Sequence, residues 1–95
     1  MINRKVIVRG DRSDVFFGTL TAKDGREVTL TNCRRLWQWA GAASISQLAK
    51  DGSSNPDNCM FTVTVDEIVI LDAIEIIPCT EKAIASIEGV KEWRR

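Results

Sequence analysis

The chain has 95 residues, 44% of them hydrophobic and 27% charged, a composition that predicts one small folded domain and leaves no room for a second core. Its 13 Lys and Arg are balanced by 13 Asp and Glu, which argues against a uniformly basic surface for long nucleic acid. It has neither histidine nor tyrosine, which excludes a Ser-His-Asp triad, a Cys-His dyad and any His-containing zinc site.

Lys5 to Arg9 is short and β-branched and stops at Gly10-Asp11, which predicts a strand followed by a turn. Val15 to Asn32 then holds two alternating runs around Asp24-Gly25, the signal of a hairpin. A three-residue loop with Gly25 in the left-handed conformation pairs Leu20 with Val28 and Gly18 with Leu30, on the face that carries Phe16. The other face then holds Phe17, Thr19, Thr21, Glu27, Thr29 and Thr31. Phe17 is the aromatic exception among threonines, and it reads either as a second core residue or as a stacking surface.

Strand alternation ends in Asn32 to Gln47, NCRRLWQWAGAASISQ. Ser44 with Gln47 three residues later matches a capping box, and Ile45, Leu48 and Ala49 form an apolar stripe, so a helix of two to three turns is expected to run from Ser44 to near Gly52. GSSNPDN follows as a loop. Phe61, Val63 and Val65 alternate with threonines as a half-exposed strand, while Ile68–Leu71 and Ala73–Ile77 are richer in aliphatics and read as central strands, ended by Pro78. Thr80 caps a second helix with Ala83, Ile84 and Ile87 on its apolar face, closing at Gly89. The fold class is therefore α+β, a largely antiparallel sheet of about five strands with two short helices. Residues 90–95, VKEWRR, read as a mobile tail.

Cys33, Cys59 and Cys79 are odd in number and form no CxxC pair, which predicts reduced, buried thiols. No signal peptide is evident and no segment reaches the roughly 20 apolar residues of a membrane span, so a cytoplasmic location is expected. The carboxylate pairs Asp11/Asp14 and Asp66/Glu67 read as turn residues, and no phosphate-cradling glycine loop is present. No catalytic residue, metal ligand or cofactor is assigned.

The chemistry-bearing stretch is Asn32 to Gln47. Eight of the 13 basic residues are arginine, whose planar fork matches phosphate. Arg34 and Arg35 could meet phosphate, Trp37 and Trp39 could stack on a purine, and the N–H groups and hydroxyls at Ser44 and Ser46 could hold an anion or ribose. Equally, both tryptophans could be core. In an extended segment they share a face, so they are buried together or available together. Phe17, Asn32 and the Trp93-Arg94 pair complete the candidate ligand-binding set.

The order VIVRG, VFFGTL, DGREVTLTN, RRLWQWAGAASISQLA, NPDNC, VDEIVILD and IEIIPCTEKA resembles a group of short phage and prophage proteins that includes the first type of Thoeris anti-defence sponge. The likeness covers most of the chain and is most specific in RRLW-x-WAGAASxSQLA. What it implies is capture, without cleavage, of a cyclic ADP-ribose isomer or related cyclic nucleotide between subunits of a homodimer or larger homo-oligomer. Arginines would meet the pyrophosphate, with Arg9, Arg34, Arg35 and Arg94 all open for that role. Aromatics would sandwich adenine, and an asparagine or serine would contact ribose. The residues alone are also compatible with a protein–protein inhibitor of a host defence complex, of anti-CRISPR type, and with a small single-stranded nucleic-acid-binding domain.

Overall fold

A computed structural model describes residues 1–95. The elements run β1 (Lys5–Gly10), β2 (Val15–Asp24), β3 (Glu27–Gln38), α1 (Ile45–Asp51), a 3-10 turn (Pro56–Asn58), β4 (Met60–Phe61), β5 (Val65–Ile70), β6 (Ala73–Pro78) and α2 (Glu81–Gly89). The antiparallel strand order is β5-β3-β2-β1-β6, and the two-residue β4 pairs with the far end of the long β3. The class is α+β, with six strands and two helices.

The sheet must curl. Laid flat, five strands would hold their outer edges about 19 Å apart at the usual spacing. Those edge strands, β5 and β6, are joined only by Leu71 and Asp72, a link that spans at most about 11 Å. The β2–β3 turn folds across to the same point, where the Ala73 N–H donates to the Arg26 carbonyl at 3.0 Å.

Curling creates two cores. Val6, Val8, Phe16, Leu20, Val28, Leu30, Cys33, Ile70 and Ala73 form a cluster without any helix residue, enclosed by the sheet itself. On the opposite face Ile7, Phe17, Leu36 and Phe61 pack under the helices against Leu48, Ala49, Ala83 and Ile87. Val6-Ile7-Val8 and Phe16-Phe17 lack alternation because both faces of these strands are covered. Phe17 is thus core, not a stacking surface. The second helix matches the sequence reading, with the Thr80 hydroxyl accepting the Ala83 N–H. In the first, Ser44 Oγ accepts the Gln47 N–H while Gln47 Oε1 accepts from Ala43, and Gly52 ends the helix.

Three expectations change. The hairpin turn is the two-residue Gly25-Arg26, with Gly25 at φ 60°; this later turn pairs Lys23 with Val28, and an extra residue at Thr21 then sets Leu20 opposite Leu30 rather than Val28. A second shift lies where Gly18 crosses β3. Asn32 there adopts φ 46°, and a Cβ on Gly18 would come within 2.5 Å of Cys33 Cβ. The expected strand through Phe61 and Val65 is broken at Thr62–Thr64. Finally, β5 and β6 are edge strands, not central ones, and Asp66 and Glu67 lie within β5 rather than at a turn. Of their aliphatics, Ile68, Ile70, Ala73 and Ile76 line the inner core, Ile77 packs on the helix-side core, and Val65, Val69 and Ile74 are exposed.

Candidate functional site

Arg34 and Arg35 are neighbours on β3, so their side chains leave opposite faces. Arg34 points to the helix side and is only 4% exposed. Its Nη1 donates to the carbonyls of Ile87 (3.1 Å) and Val90 (2.9 Å), its Nη2 to Phe61 (3.0 Å) and its Nε to Thr62 (3.0 Å). It therefore caps the C-terminal end of α2, where carbonyls lack helical partners, and ties it to β4. Burial pushes its pKa down from the ordinary arginine value, against the opposing pull of Glu92. Four of its five N–H groups are engaged, which leaves it no fork for a phosphate.

Arg35 lies on the other face, half-exposed. Its guanidinium sits 4.7 Å from the centre of the Phe16 ring, and its Nη1 pairs with Asp14 at 2.9 Å. Two residues further along, Trp37 is 52% exposed. Its indole stacks on that of Trp93, with centroids 4.8 Å apart and planes 23° from parallel. The tail is docked on the sheet by three contacts of its own backbone and side chains. The Trp93 N–H donates to the Phe61 carbonyl at 2.8 Å, the same oxygen that Arg34 uses, and Glu92 accepts the Thr64 N–H at 2.8 Å and an Arg94 N–H at 2.5 Å. Those last two contacts, the Thr64 bond first, hold the Glu92 carboxyl below its usual pKa. Beside Trp93 a groove of about 250 Å³ is lined by Pro56, Asp57, Cys59, Lys91, Glu92 and Arg94.

Trp39 does not share the fate of Trp37. β3 ends at Gln38, so alternation lapses, and Trp39 is half-buried against the helix-side core. Asn32 is exposed at the bulge, in a second hollow with Phe17, Arg34, Thr64 and Glu88. Ser44 and Ser46 are exposed at the start of α1; the Ser44 hydroxyl is occupied as the cap, and no hydrogen bond connects either serine to the tryptophan pair. The structure thus joins Trp37, Trp93 and Arg94, with Arg35 along the same strand, and separates them from Phe17, Ser44 and Ser46.

The partnership of Trp37 with a residue 56 positions away left no trace in the local pattern. Glu92 and Lys91 were missed for the same reason, although an aromatic flanked by charges in VKEWRR was a signal that the tail has something to pack on.

Residues 3–87 match a family described as a domain of unknown function, DUF6948. The chain belongs to this family. Trp37 and both adjacent arginines lie inside the part of the chain that matches DUF6948, whereas Glu92, Trp93 and Arg94 lie beyond it. No curated protein matches the DUF6948 chain.

Proposed function

We propose that this protein is a non-catalytic binder that captures a phosphorylated purine nucleotide of the cyclic ADP-ribose type, using the Trp37–Trp93 pair as its stacking platform. The observation that carries this reading is a large aromatic left half-exposed and stacked on a second indole, with Lys91 and Arg94 lining the groove beside it together with Asp57 and Glu92, the latter paired with Arg94. Indole faces stack on purines, and the cations supply phosphate contacts. The resemblance described above names the cyclic nucleotide and the sponge role, in the cytoplasm of an infected bacterial cell. No helix is long and apolar enough to cross a membrane.

The geometry restricts how such a ligand would sit. A base sandwiched between two indoles needs their planes about 7 Å apart, twice a van der Waals contact, and the centroids here are 4.8 Å apart. The purine therefore covers the free face of Trp37 or takes the place of Trp93.

Isothermal titration with cyclic ADP-ribose isomers tests the reading, followed by heating and recovery of the nucleotide intact. Trp37→Ala is expected to weaken binding by about 1–3 kcal/mol with the fold retained. Absence of binding heat for every isomer and for cyclic oligonucleotides would remove the proposal.

A further inference from the structure

β6 pairs with β1 on one side, and no backbone hydrogen bond reaches residues 74–78 from the other. Just before them the Ala73 N–H donates to the Arg26 carbonyl, so the tip of the β2–β3 hairpin closes one end of this edge. Because the Cys79 N–H donates to the Lys5 carbonyl, the alternation of an antiparallel ladder turns Ile77 and Glu75 toward β1. The N–H and C=O of Ile76 then face outward. Pro78, the next outward position, has no N–H, which confines further pairing to the first half of the strand.

A groove of about 390 Å³ runs along that half, lined by Ile74, Glu75 and Ile76 of β6 together with Met1, Lys23 and Arg26. Its charge is one-sided. Glu75, the acidic residue of the lining, is neutralised by Arg9 at 3.0 Å. Lys23 makes no ion pair, its ammonium meeting only the Gly25 carbonyl at 2.8 Å. Arg26 reaches one carboxylate, that of the exposed Asp11, at 3.5 Å. Met1 and Ile74 add exposed apolar surface.

We infer that this groove receives an extended acidic segment of another protein, which adds as a short strand beside Ile76. The backbone of that segment supplies the partners that the outward N–H and C=O of Ile76 lack. Side chains at alternate positions of a strand share a face, so acidic residues two positions apart both reach the cations Lys23 and Arg26, and aliphatic neighbours cover Ile74 and Met1. A lipid surface fits less well, because acyl chains would leave the Ile76 N–H and C=O without a partner. The groove shares no residue with the Trp37–Trp93 pair, so this contact goes beyond nucleotide capture and does not depend on it.

Fluorescence anisotropy on the full chain tests this with two labelled synthetic peptides, one alternating valine with aspartate and one alternating valine with lysine. The wild type is expected to prefer the aspartate peptide by about tenfold, and Lys23→Glu, at an exposed position, to reverse that preference. Amide exchange at Ile76 should slow when the aspartate peptide binds. Ile76→Pro removes the outward N–H and should lose both peptides. Circular dichroism shows whether that variant is folded; should it not be, the Lys23→Glu reversal and the Ile76 protection decide. No binding of the aspartate peptide, or a preference unchanged in Lys23→Glu, would overturn the inference. So would protection of Ile76 in the free chain that fades on dilution, which gives the edge to a second copy. Binding of phosphatidylserine vesicles that is lost in Lys23→Glu would overturn it in favour of a membrane.

Discussion

Arg34 and Arg35 differ by one position on β3, and the pleat sends one beneath the helices and the other to the rim. Removing Arg34 leaves the carbonyls of Thr62 and Val90 without their donor, takes one of two donors from those of Phe61 and Ile87, and empties a buried site. Arg34→Ala is therefore expected to cost about 3–5 kcal/mol. A lysine cannot restore the planar fork, so Arg34→Lys should recover little. Arg35→Ala loses only a rim contact over Phe16 and a half-exposed ion pair, about 1 kcal/mol together. Chemical denaturation of the three variants checks the ranking, and equal losses at both positions would contradict the assignment. Nothing in the string RRLW distinguishes the two arginines, because the partners of Arg34 are supplied by Phe61 to Val90. The separate fates of Trp37 and Trp39 were undecidable for a similar reason, since they rest on β3 stopping at Gln38, between them.

At the scale of elements, local signals were sufficient where the physics is local. Ser44 and Thr80 cap the helices that their spacing announces, Gly52 ends α1, and Gly25 takes the left-handed turn position. Strand pairing was less legible, because the irregularities near Gly18 and Thr21 shift the ladder without changing which residues face the core. The tail carries its own testable physics. Its Glu92 is held below the ordinary carboxylate pKa by Thr64 and Arg94, so its contribution to docking is complete above the ordinary glutamate range and is lost as pH falls through the depressed folded value. Acidification should thus release the tail and separate the indoles. Loss of the exciton couplet of stacked tryptophans in circular dichroism would report it, and Glu92→Ala should show the same loss at neutral pH. A couplet that survives in that variant would mean that stacking alone holds Trp93.

For the whole molecule, the α+β class followed from the alternation of strand and helix patterns, whereas the curl did not. It depends on Leu71-Asp72 bringing two edges together, and Asp72 also anchors the β1–β2 turn. The Asp72 carboxylate accepts from Arg12 N (2.7 Å), Ser13 N (2.9 Å) and Ser13 Oγ (2.6 Å), and the Asp72 carbonyl accepts from Asp11 N (2.9 Å). The Ser13 hydroxyl first, then the two backbone N–H groups, hold its pKa at about 2. A depressed folded pKa gives stability that is present above the unfolded value, near 4, and fades as pH falls toward about 2. Asp72→Asn should accordingly lower the melting temperature at neutral pH, and the gap from wild type should close on acidification. A gap that does not change with pH would place the carboxylate's role elsewhere.

The carbonyl cradle around Arg34 also sets an order of events during synthesis. The arginine emerges from the ribosome well before its last acceptor, Val90, 56 residues later. Until that residue is released, a guanidinium destined for burial has no complete set of partners and favours water. The nascent sheet therefore cannot settle its helix-side face early, and folding of this chain is completed only when its second helix is free of the exit tunnel.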